Sequence, residues 1–490
     1  MIGRIQEDLG GRVRQGAGIP PWAILAIPLL ALAASVLAMS TKQALAILAL
    51  ALMVPFAVYS MRHPYPALIL YLLAKTNFLE FVQPGTWSRV TLAPAVSITI
   101  TDMLMVVMVI VAAKRLPRRE EKPVFMTFVV IWFAYVAVRF MFGMAVGESS
   151  LDDATMNIRY QIGWLDYLII IAVMEKPRDI RNIVTILLCI AVASTSVQVI
   201  EAGLGHRIKG PAALQGAMDQ SFYGDTQYIE VGGREVPYLW SRAAQATLVT
   251  ALIGLVCVLE GIRPRFYGIG ALFGFLGLAI ASVRAWYFGT MVGVMVVVAM
   301  QRRRIESAAR FAVALWVLAG VVVLLAPFLQ NSYGSSPWAV WLGRAQQITN
   351  YSGQQTFNDR VDRAARTWET ARQSLWIGYG WGKTSLANMS ETSLNTILIH
   401  GILGTALILG MYLYVLHSAW RLWSILPQCE ERAYLAGLCA VMIAFLAMAF
   451  SQDSLNAGGF AVIAAAFVDR IWVFRQRGLW IDEARAPASS

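Results

Sequence analysis

The feature that most constrains this chain is a succession of apolar runs, each long enough to cross a bilayer. About 17–25 helical residues cover a hydrocarbon core. Reading the runs between polar breaks gives fourteen, near 20–39, 43–60, 65–81, 97–113, 124–143, 158–174, 182–203, 240–260, 267–283, 285–300, 309–329, 392–416, 433–451 and 458–474. In lipid every backbone N–H and C=O must be satisfied inside its own segment, so runs of this length imply helices rather than a barrel. Composition agrees: 14% of residues are charged, against about 25% in water-soluble chains, and the mean hydropathy is +0.59. The third run is the weakest, because Lys75, Asn77 and Glu80 interrupt it. The expected fold is all-α: a polytopic membrane helical bundle of about fourteen spans with a large, partly helical periplasmic loop. Three regions follow: a transmembrane bundle over 1–330, the loop over 331–391, and C-terminal helices with a tail over 392–490.

The net charge of +11 could suggest nucleic acid. Its distribution points elsewhere. With the N-terminus inside, Arg62, Lys114-Arg115, Arg118-Arg119, Lys176, Arg178, Arg181, Arg263, Arg265, Arg302-Arg303-Arg304, Arg421 and Arg475 all fall on one side. Basic short loops mark the cytoplasmic face, so both termini are expected there and nucleic acid is not an expected partner. Arg4, Arg12 and Arg14 before the run from Ile19 could mimic a signal peptide. That run is long, lacks a small-residue cleavage site and is followed at once by another, so it reads as the first span. Of the four cysteines, Cys189, Cys257 and Cys439 lie in apolar runs and Cys429 in a basic loop, so no disulfide is expected.

Two long segments fall on the opposite face, about 205–239 and 331–391. The second holds Trp338, Trp341, Trp368, Trp376 and Trp381 among spaced polar residues, the profile of a folded, functional loop. Within it NDRVDRAARTWETARQS, from Asn358 to Ser374, reads as an amphipathic helix. Val361, Ala364, Ala365 and Trp368 make one face, and Arg360, Arg363 and Arg366 follow at intervals of three. No internal repeat is evident, which weakens an inverted-repeat transporter.

Ionisable residues within spans are few: Asp166 midway along one, His400 about three turns into another, and Asp102 near an outer end. Each is expected to be satisfied by a partner across a helix interface, and their scarcity argues against a proton- or sodium-coupled transporter. The outer face is different. Its large loop carries Arg344, Arg360, Arg363, Arg366, Arg372 and Lys383 against Asp359, Asp362 and Glu369. Such a helix could lie on anionic headgroups, or its arginines could bind a phosphate-bearing ligand with their forked donors. Charge alone does not separate the two. Arg284 favours the second, because it sits between two adjacent apolar runs (LAIASVRAWYFGTMVGV) with almost no loop to solvate it. Arg159 and Arg242 also open spans at the outer face. Four sources of guanidinium thus suggest an anion site. The chain has no HExxH, Walker loop, GxSxG or acidic metal cluster. His206 is the one histidine of the outer loops, so no metal or other cofactor is expected.

The stretch from Arg363 to Gly404 resembles the signature region of the O-antigen ligase and polymerase superfamily. The matching residues are Arg363, Trp368, Gly378-Tyr-Gly380-Trp-Gly382, and SETSLNTILIHGILG with Gly401 and Gly404. SVRAWYFG around Arg284 looks like the family's Ser-Arg-Gly-type motif, and ITITDMLMVVMVI resembles its early span at Asp102. The resemblance implies a membrane glycosyltransferase acting on an undecaprenyl-diphosphate-linked oligosaccharide, with a saccharide acceptor, membrane lipids, and a chain-length regulator or other biosynthesis proteins as possible partners. Arg284 would lead in holding the diphosphate, followed by Arg360, Arg363 and Arg242, with Arg159 and Arg366 contributing. Lipid A-core ligases resembling the family carry a histidine where this chain has Ser390, which favours a polymerase over a ligase. Glu391 beside it could act as general base, or Ser390 and Glu391 could simply cap the following helix. A lipid-linked saccharide flippase is the alternative from another class.

Overall fold

A computed structural model describes residues 53–75, 89–93, 96–116, 124–145, 161–204, 228–231, 234–237, 244–281, 284–301, 355–380, 393–449 and 459–480. Twelve α-helices carry most of them: α1 (Pro64–Lys75), α2 (Ile100–Arg115), α3 (Met126–Ala145), α4 (Leu165–Val173), α5 (Pro177–Leu204), α6 (Ala244–Leu259), α7 (Pro264–Ala281), α8 (Arg284–Met300), α9 (Gln355–Ala371), α10 (Leu394–Ile425), α11 (Glu430–Met448) and α12 (Gly459–Gln476). Among them α3, α5 from Pro177 to Ile200, α10 and α11 are long and apolar enough to cross a membrane. Shorter apolar helices run over Gln245–Leu259, Pro264–Ile280 and Ala285–Met300. The runs near 20–39 and 309–329 lie outside the described residues.

Two short antiparallel hairpins accompany the helices. β1 (Arg89–Ala93) pairs with β2 (Val96–Thr99), and β3 (Tyr228–Val231) with β4 (Arg234–Pro237). The sequence explains both: RVTLA and VSIT, like YIEV and REVP, are rich in β-branched residues, and each pair is joined by a short link. β2 also takes the first residues of the run read as a span at 97–113, so helix α2 begins at Ile100.

Large apolar side chains that face away from the protein, such as Val106 and Ile110 on α2, Val130 and Val138 on α3, Met291 and Met295 on α8, and Leu413 on α10, form a surface suited to lipid. Between helices, glycines let backbones close up, as small residues do in membrane bundles. A Cβ on Gly274 would stand 2.8 Å from the Ala251 nitrogen, and one on Gly293 would stand 2.5 Å from Leu252 Cδ1. Helix α6 thereby packs against α5, α7, α8 and α11. Cys257, Cys429 and Cys439 are buried, Cys189 is exposed, and all four are free. Burial and the nearby Glu431 push the Cys429 thiol, just before α11, up to about 12.

The span expected at 392–416 is a 32-residue helix broken at Gly401 (φ 64°, ψ −174°). A break this deep would orphan backbone groups. In an unbroken helix Ile402 and Leu403 would donate to the carbonyls of Leu398 and Ile399. Instead their N–H groups donate to Leu375 O (2.8 Å) and Trp376 O (3.2 Å). The freed carbonyls of Leu398 and Ile399 accept from the N–H of Tyr379 (2.8 Å) and Gly380 (2.9 Å). The segment following α9 is therefore spliced into the gap in α10. The Tyr135 hydroxyl donates to the His400 carbonyl, and Thr405 Oγ1 to that of Gly401 (2.7 Å). Every carbonyl from Leu398 to Gly401 is satisfied, as burial in an apolar environment demands.

The splice needs glycine at two points. A Cβ on Gly401 would fall 2.4 Å from Trp376 O, and one on Gly378 (φ 66°) 2.5 Å from Gly401 N and Ile399 O. Gly401→Ala and Gly378→Ala should each lower the thermal midpoint of the purified protein by the equivalent of at least about 1–2 kcal/mol, from left-handed backbone strain alone. Gly410→Ala, where a Cβ meets open space, should be neutral or stabilising by up to about 1 kcal/mol. An unchanged midpoint for Gly401→Ala would show that the break is not required.

Candidate functional site

Three helix ends meet at one end of the bundle. α8 opens at Arg284, and two residues on Trp286 packs edge-on against Phe445 of α11 (ring centroids 6.0 Å apart). A Cβ on Gly289 would lie 2.5 Å from Met448 Cγ, so α8 runs hard against the last turns of α11. Ala449, which closes α11, accepts the backbone N–H of Ser393 (3.1 Å), and Ser393 is the N-cap of α10. The N-terminus of α8, the N-terminus of α10 and the C-terminus of α11 are thus neighbours. Trp286 Nε1 and Ser393 Oγ are buried there with no hydrogen-bond partner among the described residues. Two unused donors beside the helix start that carries Arg284 suit a site that receives a polar group.

The arginine helix α9 is fixed nearby through the splice. It packs on α10, turns through a 3-10 segment (Arg372–Ser374) and passes into the strand of backbone inserted at Gly401. The face shared by Val361, Ala364, Ala365 and Trp368 is turned outward. Val361 (50% exposed) and Trp368 (47%) point outward, with Trp376 (66%) beyond them, while Thr367 and Ala371 are buried. The reason is steric: the splice brings α9 close to α10, where small side chains fit and indoles do not. Arg363 is half-buried and Arg366 exposed. Arg360 lies within the helix and Arg284 at the start of α8. Arg159, Arg242 and Glu391 lie outside the described residues. The N-cap of α10 is Ser393, and Ser390, like Glu391, lies outside the described residues.

Sequence reasoning missed Arg139. It is the single charged residue of α3 (MTFVVIWFAYVAVRFMFGMA), a signal visible in the sequence. Its side chain is buried, and its guanidinium holds the splice: Nε donates to Ile377 O (2.9 Å) and Nη2 to Gly378 O. The face of Phe142 lies 5.4 Å from its Cζ. The guanidinium thus clasps two adjacent carbonyls of the inserted segment.

The ionisable residues expected to be structural have partners. Asp166, fully buried at the start of α4, accepts from Tyr71 and pairs with Lys75, both on α1. Lys75, which interrupts the third run, is the cation of that pair. His400 is buried with its ring edge-on to Trp132 (5.1 Å). At the opposite end of the bundle lies a second polar cluster that the sequence reading did not anticipate. Glu430, opening α11, receives Arg181 in a forked contact and hydrogen bonds from Tyr267 (3.0 Å) and Tyr434 (2.5 Å). Asp469 accepts from the Tyr167 hydroxyl (2.5 Å) and the Val124 N–H (3.2 Å). Among the described residues no group of three His, Cys, Asp or Glu side chains could hold a metal ion.

The chain matches no protein-family model and no curated protein.

Replacing Arg139 removes two charge-assisted hydrogen bonds from the splice. Arg139→Gln should destabilise the protein by about 1.5–3 kcal/mol. Arg139→Lys should fail to restore it, because an ammonium lacks the planar fork that spans two adjacent carbonyls. Thermal unfolding of the purified variants tests this, and a fully stable Arg139→Lys would refute the forked role.

Proposed function

We propose that this chain is a polymerase of bacterial cell-surface polysaccharide, a metal-independent glycosyltransferase of about fourteen membrane spans. On this reading both termini lie in the cytoplasm, the loop of 331–391 faces the periplasm, and the membrane is the inner one. The donor is an oligosaccharide on undecaprenyl diphosphate and the acceptor a second saccharide. The observation that carries the reading is the meeting of the Arg284 end of α8 with the Ser393 end of α10 at Ala449. Arg284 and the residues just before Ser393 belong to separate parts of the resemblance, yet their helices begin at the same end of the bundle. The interlock of Gly378 and Gly380 with Gly401 supports the same reading, since these glycines come from the two halves of the signature region.

The chemistry assigned to these residues is a single displacement. An acceptor hydroxyl oxygen attacks the anomeric carbon, the bond from that carbon to the diphosphate oxygen breaks, and the diphosphate leaves with the electron pair. Glu391 takes the hydroxyl proton. Charge develops on the departing diphosphate, and fixed guanidiniums at Arg284, Arg360, Arg363 and Arg242 stabilise it more than they stabilise the ground state. Arg159 and Arg366 contribute further substrate-binding donors. Ser390, standing where related ligases carry histidine, favours polymerisation over transfer to a lipid A-core or protein acceptor.

Deleting the chromosomal gene and analysing surface glycan tests the assignment. Single repeat units left on the lipid carrier are the expected result. Full-length polymer stranded on the carrier would make the chain a ligase, and accumulation facing the cytoplasm a flippase. In the complemented strain Arg284→Ala should abolish polymer while leaving protein level intact, whereas Arg366→Ala, at an exposed position, should reduce it only modestly. An active Arg284→Ala variant would overturn the site.

A further inference from the structure

Away from these helix ends, α5 and α7 leave an apolar cavity of about 330 Å³ between them, lined by Leu188, Cys189, Val192, Ala193, Phe266 and Ile269. The two helices touch elsewhere with no gap. A Cβ on Gly270 would fall 2.4 Å from Leu188 Cδ1, and one on Gly277 would fall 2.3 Å from Thr195 Oγ1. The cavity is therefore a groove between helices that are held at fixed spacing.

Basic side chains gather toward one end of it. Arg265 precedes Ile269 by four residues on α7, so the two share a helix face. Arg178 precedes Cys189 by eleven residues on α5, which is three turns and returns to nearly the same face about 16 Å away. Arg178, Arg263 and Arg265 are exposed. The carboxylates of the same rim are already engaged. Glu175 accepts from Arg115 (2.5 Å), and Asp179 accepts the N–H groups of Glu175 and Lys176 (both 2.9 Å). Glu260 accepts from Gln301 (2.6 Å), and Glu430 holds Arg181. Among the described residues Arg178, Arg263 and Arg265 form no ion pair.

We infer that this groove binds one anionic phospholipid, with its phosphate headgroup at Arg178, Arg263 and Arg265 and one acyl chain lying along Leu188, Val192 and Ile269. The offset between Arg178 and Cys189 matches the reach of a chain running from the interface into the bilayer. Uncommitted guanidiniums select for negative charge, whereas the apolar lining accepts any hydrocarbon tail. A free phosphate gains nothing from the lining and a zwitterionic lipid little from the rim. The inference needs only a membrane location and is independent of the transferase reading.

The test uses the full chain in lipid nanodiscs containing phosphatidylglycerol with a photoactivatable diazirine in its acyl chain, and phosphatidylcholine with the same chain as control. Adducts are mapped by mass spectrometry. Phosphatidylglycerol should label residues 188–193 and 266–269 at least about tenfold more than phosphatidylcholine, given the attraction of several basic groups for an anionic lipid. The combined variant Arg178→Gln, Arg263→Gln, Arg265→Gln should bring that labelling down to the phosphatidylcholine level. Ala193→Trp, which fills the groove and keeps the arginines, should abolish labelling by both lipids. Equal labelling by the two lipids, labelling that survives charge removal, or adducts confined to other surfaces would each overturn the inference.

Discussion

The architecture depends on an exchange of backbone hydrogen bonds at Gly401. A helix that breaks inside an apolar bundle leaves four polar groups with no water to receive them, and each would cost several kcal/mol in hydrocarbon. Here a second segment supplies the missing partners in register, two donors and two acceptors, so the break is complete and still satisfied. Everything local follows from that arithmetic. Gly401 and Gly378 must lack side chains, Arg139 must grip the inserted carbonyls, and α9 must lie close against α10.

The ionisable groups divide by role. Those that fasten helices together are paired or hydrogen-bonded within the bundle: Asp166 with Lys75 and Tyr71, Glu430 with Arg181 and two tyrosines, Asp469 with Tyr167. A buried pair of this kind is weak support for stability but strong support for one particular arrangement, because removing either member leaves a charge uncompensated. Arg284 opens α8, and Arg360, Arg363 and Arg366 lie on α9.

Much of the helical framework was legible in the sequence. Runs at 124–143, 182–203, 267–283, 285–300, 433–451 and 458–474 each correspond to a helix, with ends displaced by a few residues. The length of an apolar run was sufficient there because lipid removes the competing option of an exposed backbone. Other features were not legible. The hairpins are short and polar enough to read as loop. The amphipathic helix itself was legible, but which of its residues meet α10 was not, because that contact buries the small Thr367 and Ala371 and leaves Trp368 outward. The glycines at 378, 380 and 401 were visible as a pattern, but their meeting is long-range and no local signal encodes it. Arg139 was visible as the lone charge of an apolar run, but the carbonyls of Ile377 and Gly378 that it grips are groups every residue carries and mark nothing in a sequence.

The splice also has a mechanical consequence. The stub of α10 from Leu394 to His400 is tied to the remainder of that helix through inserted backbone from the α9 side. Residues 375–376 receive the shaft at Ile402 and Leu403, and residues 379–380 hold the stub at Leu398 and Ile399, so one short stretch of chain clamps both halves of α10 and, through the stub, sets where Ser393 stands.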